Sequence, residues 1–135
     1  MLRAVVDPGV IVSALLSPHG APARLDLRWL GGEFELVVCP HLLEELGGVL
    51  LRPKFREVAS RDEIQELVEV IRRGAVSRPD PVVREGLTRD PADDYLVALA
   101  QTSDVDYLVS VDQDLTTLTS VLPPVLSPAA FLALL

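Results

Sequence analysis

Cysteine and lysine each occur once, and no run of uncharged apolar residues approaches the roughly 20 needed for a membrane-spanning helix. With Cys39 alone an intrachain disulfide is impossible, and a lone thiol reads as a small core residue in a reducing compartment. Tracts of Gly/Ser or of one charge are missing, as are internal repeats and linkers, which excludes a disordered chain or a modular array. Glycine-rich phosphate loops of the P-loop or dinucleotide kind are also missing. The start, Met1-Leu2-Arg3 and an apolar run, superficially resembles a secretory signal. Asp7 and Pro8 interrupt that run, however, and no small-residue cleavage site follows Leu16. The expectation is a cytoplasmic protein with no membrane segment.

What is present is a chain of 135 residues, 49% hydrophobic, long enough to enclose a core as a single domain spanning residues 1–135. So high an apolar fraction in so short a chain also points to a buried subunit face, hence a homodimer. The net charge of −8 argues at first against a nucleic-acid partner. The cations are unevenly spread, though: Arg52, Lys54, Arg56, Arg61, Arg72, Arg73, Arg78, Arg84 and Arg89 make up nine of the twelve. An acidic protein can still turn one basic face to phosphates. For any single one of these residues, a solvated helix surface is the plainer explanation.

Residues 2–6 read as a short buried strand ending at Asp7-Pro8-Gly9, and residues 10–16 as a buried helix. After the loop Ser17-Pro18-His19-Gly20, a second helix runs over residues 21–30, with Pro22 in its first turn, and stops at Gly31-Gly32. Residues 33–39 form the next strand. Pro40 opens a helix with Leu42, Leu43, Leu46, Val49 and Leu50 on one face, and another follows over residues 61–73. The stretch from Gly74 to Arg89 is β-favouring and proline-rich, with no clear assignment. Asp90-Pro91-Ala92-Asp93 starts a helix reaching Thr102. Residues 106–111 form a strand, 115–118 a short helical segment, 123–126 a short strand, and 129–135 a closing helix behind Ser127-Pro128. Continuously apolar strands alternating with helices imply a three-layer α/β/α sandwich around a parallel sheet of four or five strands.

In such sheets functional groups gather beyond the carboxyl ends of the strands. Asp7 and Asp112 each follow a predicted strand, so both should emerge on that edge, and a helix starting near Asp90 brings Asp93 and Asp94 towards it. On the third helix Glu44 lies opposite the apolar face, in water, whereas Glu45 flanks it and is the better site candidate. Singly, each acid also has a structural explanation: Asp7, Asp90 and Asp93 as helix caps, Asp112 and Asp114 as turn residues. Their joint placement tips the balance. Carboxylates converging without a cation raise one another's pKa, and oxygen-only ligands favour Mg²⁺ or Mn²⁺ over Zn²⁺. Such a cluster suits hydrolysis of a nucleic-acid backbone without a nucleophilic side chain.

The order of motifs resembles the PIN domain, most closely the bacterial VapC-like toxin components of toxin–antitoxin systems. The matching stretches begin with Val5-Val6-Asp7-Pro8-Gly9-Val10-Ile11, then Cys39-Pro40-His41-Leu42-Leu43-Glu44-Glu45-Leu46 with Arg52-Pro53-Lys54-Phe55. Asp90-Pro91-Ala92-Asp93-Asp94-Tyr95-Leu96 and Asp106-Tyr107-Leu108-Val109-Ser110-Val111-Asp112-Gln113-Asp114 follow, and the end of the chain resembles the family's closing helix. The resemblance implies a divalent-metal-dependent endoribonuclease with Asp7, Glu45, Asp94 and Asp112 as its acidic quartet. Asp7, Asp94 and Asp112 would be the main ligands of Mg²⁺ or Mn²⁺, and Glu45 would assist with metal or water. Ser110 would orient Asp112, with Asp93 and Asp114 as secondary candidates. RNA as substrate, an antitoxin as partner and a homodimer are implied as well. One departure stands out: Gly9 occupies a position where the family carries a polar side chain, and losing such a support costs roughly 10–100-fold in affinity or activity. A second reading therefore stands beside the first, a PIN-like fold of weak or no activity that binds RNA or protein.

Other residues carry less. Cys39 and His41 are too few for a zinc site and read as core and helix start. His19 reads as surface, and Trp29 with Leu25 and Leu30 as core or dimer contact. A phosphotransfer receiver domain would need a lysine after a late strand, and Lys54 is the only lysine.

Overall fold

Among the described residues, each strand is followed by one or more helical segments. β1 (Arg3–Val6) leads into α1 (Pro8–Leu16) and α2 (Ala21–Leu30); β2 (Glu35–Val38) leads into α3 (Pro40–Leu50), a 3-10 turn at Pro53–Phe55 and α4 (Arg61–Gly74). β3 (Val76–Ser77) precedes a second 3-10 turn at Pro91–Asp93 that runs straight into α5 (Asp94–Thr102). The chain ends with β4 (Tyr107–Val109), α6 (Gln113–Thr116), β5 (Val125–Leu126) and α7 (Pro128–Leu132). This computed structural model describes residues 1–83, 86, 88, 90–118 and 123–135.

Sequence chemistry explains most of the boundaries. β1 and β2 are Val-rich and buried over three consecutive residues, as a sheet covered on both faces requires. α4 opens with a reciprocal capping box between Ser60 and Glu63 and closes with Arg72 and Arg73 in its last turn, where cations complement the helix dipole. Between α2 and β2 the chain reverses through Gly32 at φ 76°, a conformation that glycine adopts without a Cβ penalty. α1 starts two residues before the expected position, because Pro8 and Gly9 enter its first turn beneath the cap at Asp7. The closing helix stops at Leu132, short of the expected residue 135.

Among the described residues the five strands are all parallel, in the order β3-β2-β1-β4-β5. The fifth strand is β3, from the stretch after Gly74 that the sequence pattern left unassigned. Arg84 and Arg89, from the same stretch, lie outside the described residues. α1 packs on α2 and α3, α3 on α4, and α2 on α7, while α5 lies on β1 and β4. Right-handed crossovers place helices connecting strands in opposite directions on opposite faces. The result is the three-layer α/β/α sandwich. α5 is buried from Asp94 to Ala100, and α7 anchors Phe131 edge-on to Phe34 and Tyr107. Among the described residues no helix is long and apolar enough to cross a membrane.

Candidate active site

β1 and β4 are neighbours in the sheet although about a hundred residues separate them, and the direction of the crossovers reverses between them. In open parallel sheets that junction is where ligands bind. Asp7 is the first residue beyond β1. Its backbone N–H donates to the carbonyl of Val109 (2.9 Å), which carries the β1–β4 ladder one step past the strand. Its carboxylate then does two things: Oδ1 caps α1 by accepting the Gly9 N–H (2.9 Å), and Oδ2 accepts the Ser110 hydroxyl (2.8 Å).

Ser110 is wholly buried just past β4, and its Oγ also accepts the Asp112 N–H at 3.0 Å. One hydroxyl thus ties together the carboxylate of Asp7 and the backbone of Asp112. β4 stops at Val109 instead of continuing to residue 111, although the Ser110 N–H still donates to the Leu126 carbonyl at 3.0 Å. Asp112 caps α6 by accepting the Asp114 N–H (2.9 Å) through Oδ1. The two acids therefore emerge from the same edge of the sheet.

Glu45 is half-buried on α3, while Glu44 is exposed. The Tyr95 hydroxyl donates to Glu45 Oε2, reaching it from the first turn of α5. Burial, with Glu45 beside it, pushes the Tyr95 phenol far above its usual range, so it remains a donor. The His41 ring tilts against Tyr95 with centroids 4.1 Å apart.

Asp93 and Asp94 are adjacent but sit differently. The Asp93 pKa is pushed up to about 6, first by burial and then by the charges of Asp7, Asp90, Asp112 and Glu45. Asp94 is 1% exposed, and its Oδ1 accepts both the N–H and the hydroxyl of Thr88, each at 2.7 Å. The structure thus brings Asp93 into the field of Asp7, Glu45 and Asp112, and uses Asp94 to tie the segment before α5 to its first turn. From the sequence, Asp94 is placed in the acidic quartet and Asp93 among the secondary candidates. Sequence reasoning missed Tyr95, which read as one more apolar position on α5, and it missed Thr88 and the contact of His41. A phenol directly after two acids was the one available signal.

Carboxylate and hydroxyl oxygens alone make up this set, the donor chemistry of a hard divalent cation. Burial first, and like charge after it, raise the Asp93 pKa, and a cation would relieve the second of these. The ion pairs formed among the described residues engage Glu33, Glu35 and Glu69, not these acids. Among the described residues no three acidic, His or Cys side chains are grouped closely enough to hold a metal as they stand. The residues fit a hard divalent cation in donor type, and their side chains would have to draw together to hold it. Gly9 faces the same point: a Cβ there would meet Asp7 Oδ1 at 3.5 Å and Val111 Cγ2 at 3.8 Å, ordinary contacts.

In its fold the chain is similar to a solved structure described as PAE2754 from Pyrobaculum aerophilum. The TM-score is 0.66 and the identity 16%, over 98% of this chain and 88% of that one. No curated protein is significantly similar to it in sequence. The family pattern described as PIN domain matches residues 3–114, a span that includes every acid of the site. The chain belongs to the PIN domain family, whose members are in general metal-dependent nucleases.

Proposed function

We propose that the protein is a Mg²⁺- or Mn²⁺-dependent endoribonuclease, and the toxin of a toxin–antitoxin pair. The observation that carries the nuclease reading is the buried Ser110 hydroxyl, which binds Asp7 and Asp112 together at the switch point of the sheet. Asp7, Asp93 and Asp112 present the oxygens that would hold the ion. A bound divalent ion supplies charge neutralisation, a more acidic water and support for the leaving oxygen. Glu45, oriented by the Tyr95 hydroxyl, positions the attacking water and accepts its proton. Asp94 holds the turn that delivers Asp93.

Pure protein with RNA and Mn²⁺ is expected to cleave, and EDTA to stop it. Asp7→Asn and Asp112→Asn lose at least about a hundredfold in rate, and Asp93→Asn loses more than Asp94→Asn. Wild-type rates in the first two variants would sink the proposal. The antitoxin and the homodimer belong to the same reading. Leu27 and Leu30, 66% and 64% exposed on α2, are apolar surface that a partner or second copy would cover. Sedimentation showing only monomer at micromolar concentration removes the dimer.

Gly9 favours a second reading, a weakly active or inactive PIN fold that binds RNA or protein. The position faces Asp7 yet offers it no side chain. Under that reading calorimetry shows no divalent-ion binding near neutral pH while RNA binding survives.

A further inference from the structure

Beside the acids, a hollow of about 290 Å³ opens between the head of α3, the segment after β3 and the turn before α5. His41, Glu45, Asp80, Pro81, Pro91 and Tyr95 are among the residues that line it. Its volume is near the lower bound of small-ligand sites, roughly 300 Å³, the scale of a single ring system. The lining suits a base: an exposed imidazole packed against a phenol, and two proline rings. Glu45 belongs both to the hollow and to the acid site, so a nucleotide whose phosphate lies at the acids has its base within reach.

Asp80 gives the hollow a polar reader. One carboxylate oxygen accepts the His41 N–H at 2.8 Å, a cap supplied from outside α3, whose own N-cap, Cys39, makes no side-chain cap bond. That bond holds a carboxylate that lines the hollow and leaves it further acceptor capacity. A fixed carboxylate discriminates among bases. Guanine offers N1–H and N2–H side by side. Adenine and cytosine set a ring-nitrogen acceptor next to their amino group, and uracil flanks its N3–H with two carbonyl oxygens. Only guanine offers a carboxylate two donors side by side.

We propose that this hollow binds the base of the nucleotide beside the scissile phosphate and selects guanine through Asp80. The inference rests on the nuclease reading for its substrate, but binding can be measured without cleavage. The test titrates the four ribonucleoside 5′-monophosphates with Mg²⁺ into the full chain, followed by NMR, alongside mapping of cleavage ends on RNA of mixed sequence. GMP is expected to bind about tenfold more tightly than UMP, the worth of one charge-assisted hydrogen bond, and to shift His41 and Tyr95.

Asp80→Asn keeps an oxygen for the His41 N–H and turns an amino group to the base. It should therefore abolish the guanine preference with the protein still folded, whereas His41→Ala should weaken all four nucleotides alike. Equal binding of the four nucleotides, no binding of any, or a guanine preference that survives Asp80→Asn each overturns the proposal. Cleavage with no base preference leaves the nuclease reading standing and this inference refuted. Selective GMP binding without any cleavage does the reverse.

Discussion

Asp26 provides a quantitative test of how dry one face of the molecule is. It sits on α2 and lines an apolar hollow of about 380 Å³ together with Leu25, Trp29, Phe34, Leu67 and Val70. Burial pushes its pKa from an ordinary 3.8 up to about 7. The other titratable groups lining the hollow are Glu63 and Glu66, both on α4. A folded pKa above the unfolded one means that the native state holds the extra proton between about pH 4 and 7. Stability is therefore full below the unfolded value and falls as pH rises through the folded one. About three pKa units at about 1.4 kcal/mol each set a ceiling of about 4 kcal/mol, and partial access to water lowers the realised cost to about 2 kcal/mol. Asp26→Asn keeps the size and removes the charge. Urea unfolding followed by circular dichroism should find the variant about 2 kcal/mol more stable at pH 8 and within about 1 kcal/mol of wild type at pH 4. Glu63 and Glu66 are present in both proteins and cancel in the difference. A stability difference that stays flat from pH 4 to 8 would refute the reasoning, because the carboxyl would then be hydrated in the folded protein.

Two further substitutions test the site and the core. Tyr95→Phe deletes the hydroxyl that holds Glu45. It should cost about 1 kcal/mol in urea unfolding and roughly 10–100-fold in RNA cleavage, and unchanged cleavage would show that Glu45 needs no such support. Phe131→Ala removes a fully buried ring that packs edge-on to Phe34 at 5.1 Å and Tyr107 at 5.9 Å between centroids. A loss of about 3–5 kcal/mol is expected by thermal or urea unfolding, and a loss below about 1 kcal/mol would mean that α7 contributes little to the core.

How far the sequence could be read depended on how much periodic chain surrounded each residue. β1 and β2 announced themselves as apolar runs bounded by turn residues, while the two residues of β3 are too few to carry any period. Val76 and Ser77 become a strand because β2 offers them an open edge, information that lies in tertiary structure alone. The acids follow the same rule. On α3 an uninterrupted helix from Pro40 buries Leu42, Leu46 and Leu50, and that stripe fixes the rotational phase well enough to separate exposed Glu44 from half-buried Glu45. At α5 the phase is lost, because Asp90 caps a 3-10 turn over Pro91–Asp93 before the α-helix begins. A 3-10 turn advances about 120° per residue against about 100° in the α-helix. No count from the apolar face of α5 therefore carries back across the joint to say which neighbouring acid meets the others. Two surroundings set these acids apart: Thr88, six residues earlier, holds Asp94, while the charges acting on Asp93, those of Asp7, Glu45 and Asp112, come from segments that only the folded sheet brings together.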